Sequence, residues 1–141
     1  MTAHALSKPT SPHRLLAGLF AVFYGLNGLY MLADPSGWYA ATPGVTETGP
    51  LNEHFVRDVG VTFLALSFAC AIAFARPAMG GVALIVAAFW PVGHSLVHVW
   101  DFAAGRLPMS GLVTDITFVM VPSLIAAVLA VWFSAREGLP K

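Results

Sequence analysis

Residues 91–101 read PVGHSLVHVWD and place two imidazoles and a carboxylate on one stripe of an apolar segment. His94, His98 and Asp101 are spaced i, i+4 and i+7, so on a helix they fall within an arc of about 60°. Neutral imidazole and carboxylate suit zinc, copper(II), iron or manganese. Two histidines at i and i+4 direct both rings at one ion. This stretch therefore predicts a transition-metal site.

A second polar motif, NEHFVRD at residues 52–58, begins another apolar segment. The tight turn RP at 76–77 makes the two segments antiparallel neighbours, which puts His54 level with His98 and Asp58 level with His94. The predicted metal ligands are therefore His54, Asp58, His94, His98 and Asp101. Three other polar residues near this depth are predicted to hold the ligands or complete the coordination: Arg57, Asp115 and Asn27.

Other interpretations of the same residues stay open. Two histidines from different helices could ligate a b-type haem, with Gly60 and Gly93 leaving room for the macrocycle, but the aspartates would then have no role. The cluster could instead be free of any cofactor and only lock helix packing in an accessory subunit of a larger complex. For Arg57, the alternatives are a salt bridge to Glu53, a clamp on an aspartate, or capture of an anionic substrate or a quinone oxygen.

Composition indicates the class of protein. Of 141 residues, 57% are hydrophobic and only 10% charged, and the net charge is zero. An ordinary soluble domain has roughly 25% charged residues, so the chain is expected to lie in a lipid bilayer. The neutral balance gives no basic surface for nucleic acid. A single cysteine, Cys70, excludes an internal disulfide, and no nucleophile or phosphate-loop motif is present.

Four apolar stretches predict an all-α, four-helix membrane bundle forming a single domain over residues 1–141. The predicted spans are about 15–33, 52–75, 78–101 and 110–135, each near the ~20 residues that cross a bilayer. Residues 1–14 are predicted to be a disordered cytoplasmic tail, and 33–52 a long loop. Basic residues favour cytoplasmic N- and C-termini. Five basic residues are assigned to the cytoplasmic side, namely Lys8, Arg14, Arg76, Arg136 and Lys141, and the only one in a loop on the other side is Arg106.

The runs NEHFVRDVG (52–60) and HSLVHVWD (94–101) resemble small four-helix bacterial inner-membrane proteins of largely unknown function. Those proteins carry an N-x-H-x-x-R-D-V-G signature and are DoxX-like in size and layout. The resemblance covers about a third of the chain. It implies a four-helix bundle, multi-pass in the bacterial inner membrane, and no particular reaction.

Together these features predict a membrane protein with a copper, iron or zinc site at the outer, periplasmic end of its bundle. The expected chemistry is redox or metal handling, because ligand-type side chains cluster where water and lipid headgroups both reach. The expected partners are the lipid bilayer, a quinone or another small lipophilic molecule, and further copies of the chain or a larger membrane complex.

Overall fold

The computed structural model describes residues 12–137 and consists of helices joined by short connections. In chain order the α-helices are α1 (Pro12–Ala33), α2 (Pro35–Ala41), α3 (Glu53–Ala75), α4 (Pro77–Ala103), α5 (Leu112–Asp115) and α6 (Val121–Glu137). A π-helical stretch, Ile116–Met120, joins α5 to α6, and 3-10 turns cover Val45–Glu47 and Met109–Gly111. The predicted all-α class is confirmed.

Within residues 12–137, four helical segments are long and apolar enough to cross a membrane: Pro12–Ala33, Glu53–Ala75, Pro77–Ala103 and Met109–Ala135. Each predicted span matches one of them, with ends that differ by three residues or fewer. The first 11 residues of the predicted cytoplasmic tail lie outside the described residues, and its last three belong to α1. The chain is thus a multi-pass membrane protein built as a helical bundle.

Helices α1 and α3 approach each other backbone to backbone. A Cβ built on Gly28 would lie 2.8 Å from the carbonyl oxygen of Gly60, so only glycine allows this contact. Close to it, the Ser67 hydroxyl donates to the Ala21 carbonyl at 2.7 Å. Small residues and serine bonds are the usual means of holding helices together in lipid, where hydrophobicity gives little preference between neighbours.

Helix α4 packs on α6 in the same manner. A Cβ on Gly80 would fall 2.1 Å from the Phe133 ring, and one on Gly81 would fall 2.9 Å from the Ser134 hydroxyl. Phe133 is completely buried. Around it lies a core with residues from all four spans, including Ala17, Leu66, Leu84 and Leu129.

This core occupies one half of the bundle. Its members come from residues 17–24 of α1, 66–73 of α3, 84–88 of α4 and 129–133 of α6, which are the early or middle turns of α1 and α4 and the later turns of α3 and α6. In an antiparallel bundle those turns meet at the same end. The other end, where α3 begins and α4 finishes, carries the polar residues and is called the site end below.

The stretch predicted as a long loop contains helix α2, which the sequence analysis missed. The Asp34 carboxylate accepts a hydrogen bond from the Gly37 amide at 2.9 Å, and Pro35 occupies the first turn. An aspartate cap followed by proline is a standard start signal for a helix. The sequence DPSG therefore indicates the start of a helix at Pro35, although the glycine- and proline-rich composition of the stretch favoured a loop.

Candidate functional site

The strongest polar contact at the site end joins α4 to the fourth span. His98 Nδ1 lies 2.6 Å from Asp115 Oδ2, and both residues are more than 90% buried. A contact this short is typical of a charge-assisted hydrogen bond. When a histidine donates from Nδ1 to a carboxylate, its Nε2 keeps a free lone pair, which is the arrangement that holds metal-binding imidazoles in place. Asp115 therefore lies where it could orient His98, and the role predicted for it at a metal stays a prediction.

His94 lies beside this pair, one turn earlier on α4. Its ring centre is 4.6 Å from that of His98, at an interplanar angle of 79°. On its other side, Trp90 stacks on it with centroids 4.8 Å apart. Its ring nitrogens have no hydrogen-bond partner among the described residues. His94 is thus held by ring contacts alone, and its nitrogens remain available to a ligand.

Irregular backbone positions Asp115. The fourth span changes from α-helix to π-helix directly after this residue, and such π segments often occur at functional sites. The Ser123 hydroxyl, buried, contacts the carbonyls of Pro91 at 2.9 Å and Val119 at 2.6 Å. Ser95 donates to the same Val119 carbonyl at 3.3 Å. These serines tie α4 to the π-helical segment and so fix the carboxylate opposite His98.

His54 and Asp58 do not join this group. They form a separate pair on the outside of α3, with His54 Nε2 3.5 Å from Asp58 Oδ2 and side chains 88% and 64% exposed. Helix α3 buries Val56 and Gly60, and residues two positions away point about 200° round the helix. The predicted register is consistent with the ring contact between Phe63 of α3 and Trp90 of α4. The register fixes only how deep His54 and Asp58 lie along the bundle. The rotation of α3 about its own axis turns their side chains outward, away from His94 and His98.

The remaining predicted residues have local partners. Arg57 pairs with Glu53 at 3.2 Å, the simplest of the roles considered for it. Asp101 pairs with Arg106 at 3.0 Å across the end of α4. Asn27 donates to the Phe23 carbonyl of its own helix at 3.0 Å. Within residues 12–137, no group of three or more His, Cys, Asp or Glu side chains is arranged to hold a metal ion.

A small surface indentation, large enough for about one water molecule, lies beside Asp115 and is lined in part by Glu47, Phe102 and Gly111. A Cβ on Gly111 would lie 2.9 Å from the Glu47 carboxylate, which shows how closely the 3-10 turn Val45–Glu47 covers the start of the fourth span. The sequence analysis gave Glu47 no place in the site, because its approach depends on how the loop folds back. Two acidic side chains, Glu47 and Asp115, therefore border the same small indentation.

Gly60, one of two glycines considered as room for a haem, has no free space. A Cβ there would lie 2.9 Å from Met31 and 3.1 Å from the Gly28 carbonyl. Helix α1 fills that position. At Gly93 an added Cβ would meet nothing within 4 Å.

The fold and the site thus define a multi-pass membrane bundle with a buried histidine–carboxylate pair at one end. Comparison of the chain with protein-family models, with curated proteins and with solved structures found no match to any of them.

Proposed function

We propose that this membrane protein binds a transition-metal ion at the site end, with His94 and His98 as imidazole ligands and Asp115 holding His98. The observation that carries the proposal is the buried 2.6 Å contact between His98 and Asp115 with His94 one turn away. Intramembrane ionisable residues are costly and usually mark a functional site.

The ring geometry supports chelation by the two histidines. Two imidazoles bound to one ion at metal–nitrogen distances of about 2.0–2.1 Å have ring centres roughly 5 Å apart. The observed centroid separation is 4.6 Å. The two rings are therefore about as far apart as two imidazoles that share one ion.

A two-histidine site leaves coordination positions open to water or to an incoming ligand. Glu47 borders the same small indentation as Asp115, so negative charge on the loop side would attract a cation to this end. An ion with open positions suits metal handling or redox exchange at one face of the membrane.

The test is metal binding by the full chain reconstituted at one copy per nanodisc. Zinc chloride or copper(II) sulfate is added, free ion is removed, and bound metal is measured by mass spectrometry. We expect about one ion per chain, lost in His94→Ala and in His98→Ala. Asp115→Asn should weaken binding by about 10–100-fold.

His54→Ala is the matched control, because it removes an exposed imidazole outside the site. It should keep the metal. Helical content by circular dichroism verifies that each variant is folded. Full metal retention in both His94→Ala and His98→Ala would contradict the proposal.

A second candidate is a cofactor-free polar clamp in an accessory subunit. It is favoured by three side-chain contacts that join α4 to the fourth span. His98 contacts Asp115, Ser95 donates to the Val119 carbonyl, and Ser123 donates to the Pro91 carbonyl. Under this candidate the wild-type chain binds neither zinc nor copper, while Asp115→Asn still lowers its thermal stability.

A further inference from the structure

We infer that His54 and Asp58 form one half of a zinc-type metal site, which a second copy of this chain completes. The two side chains lie on the outer surface of α3, away from the buried histidines, and the function proposed above does not use them.

The spacing of the two donors is that of metal ligands. His54 Nε2 and Asp58 Oδ2 are 3.5 Å apart, which is longer than the 2.7–3.2 Å of a good N–H···O hydrogen bond. Two ligands about 2.0–2.1 Å from a tetrahedral zinc ion are separated by roughly 3.4 Å. The pair therefore already has the separation of one edge of a zinc tetrahedron.

The neighbouring arginine does not neutralise Asp58. Although Arg57 is adjacent in sequence, its guanidinium pairs with Glu53 at 3.2 Å. The Asp58 carboxylate is thus paired with His54 on an exposed face near the start of α3. Among residues 12–137, no arginine or lysine balances its charge.

A second copy supplies the missing half. Structural zinc sites take four protein ligands, and each chain offers two. Around a two-fold axis, two histidines and two aspartates would enclose the ion, and two carboxylates balance its double positive charge. Such an isologous interface is the commonest form of protein dimer.

The exposed face of α3 has the periodicity of a helix–helix seam. His54, Asp58, Val61, Ala65 and Phe68 are all exposed and follow spacings of four, three, four and three residues. This spacing is the heptad pattern along which two helices pack side by side. The metal donors occupy one end of the seam, and apolar side chains continue it into the bundle's lipid-facing surface.

The first experiment measures the mass of the full chain in detergent by light scattering, with zinc chloride or with EDTA. Zinc should double the protein mass and EDTA should restore the monomer. His54→Ala and Asp58→Asn should both stay monomeric in zinc. Their side chains are exposed, so neither substitution threatens the fold. His98→Ala should still dimerise, which separates this inference from the metal site proposed above.

The second experiment locates the interface. Val61→Cys lies on the seam and Val128→Cys lies on α6, and both positions are exposed. The native Cys70 is buried. Zinc should promote cross-linking through Val61→Cys only. An unchanged mass in zinc, dimers that persist in both donor variants, or cross-linking that favours Val128→Cys would each overturn the inference.

Discussion

At the scale of single residues, two histidine–aspartate pairs have opposite environments. The pair His98–Asp115 is buried at 2.6 Å, whereas His54–Asp58 is exposed at 3.5 Å. Burial makes the first pair's hydrogen bond hard to replace, because only about a tenth of each side chain is open to water. Exposure leaves the second pair free to exchange its partner for water or an ion.

This contrast predicts unequal stability effects. Asp115→Ala should lower the free energy of unfolding by about 1–3 kcal/mol, since it leaves a buried imidazole without its partner. Asp58→Ala should change it by about 0–1 kcal/mol. Both are measured by denaturant titration in detergent with a chelator present, so that bound metal does not contribute. The double variant of His98 and Asp115 should cost less than the two single changes added together. Equal losses at Asp58 and Asp115 would show that burial does not distinguish the pairs.

Residue types and spacing identified the chemistry of the site only in part. The proximity of His94, His98 and Asp115 follows from the sequence, because residues i and i+4 share a face and short connections fix the depth. The roles assigned to them at a metal stay predictions. The outward rotation of His54 and Asp58 could not be deduced with equal certainty. It depends on the Gly28–Gly60 contact, which turns one particular face of α3 toward α1.

At the scale of elements, glycine positions decide how closely the helices pack. Gly80 has no space for a side chain, because its Cβ would lie 2.1 Å from the buried Phe133 ring, whereas Gly93 on the same helix is open. Both substitutions to alanine gain helix propensity of about 1 kcal/mol. Only the first also pushes α4 away from α6.

We therefore expect opposite effects from the same substitution at two sites in α4. Gly80→Ala should destabilise the bundle by about 1–3 kcal/mol through overpacking, and Gly93→Ala should be neutral or slightly stabilising. Unfolding titrations in detergent compare the two. Adding Phe133→Leu to Gly80→Ala should recover part of the lost stability, because the smaller leucine side chain leaves room for the new Cβ at position 80. If Gly80→Ala is as stable as Gly93→Ala, the close contact with Phe133 does not control the packing.

The spans were predictable because their length and apolar composition are set by the bilayer. The π-helical stretch Ile116–Met120 was not, since its sequence, ITFVM, differs in no obvious way from an ordinary α-helical segment. Its register is fixed by contacts across the bundle, above all those of Ser123 and Ser95 with the carbonyls beside them. Such tertiary bonds leave no periodic signal along the chain.

At the scale of the whole molecule, the basic residues are distributed unequally between the two ends. Arg14 donates to the Phe74 carbonyl at 2.6 Å, which places it beside Arg76 at the end opposite the site. The site end has two of the chain's seven basic residues, Arg57 and Arg106. Cytoplasmic flanks of membrane helices carry the excess of lysine and arginine, so the site end is predicted to face outward.

Reporter fusions in a bacterial host test this orientation. Alkaline phosphatase inserted near Val45 should be active, because the loop would lie in the periplasm, while a fluorescent protein fused after Lys141 should fluoresce in the cytoplasm. Replacing both Arg14 and Arg76 by glutamine removes basic residues from the cytoplasmic flank and should shift part of the population to the inverted state. Arg57→Gln together with Arg106→Gln is the matched control and should leave the orientation unchanged, because it removes basic residues only from the outer side. Active phosphatase at Lys141 with a silent reporter near Val45 would reverse the assignment, and the histidines of α4 would then meet ions from the cytoplasm.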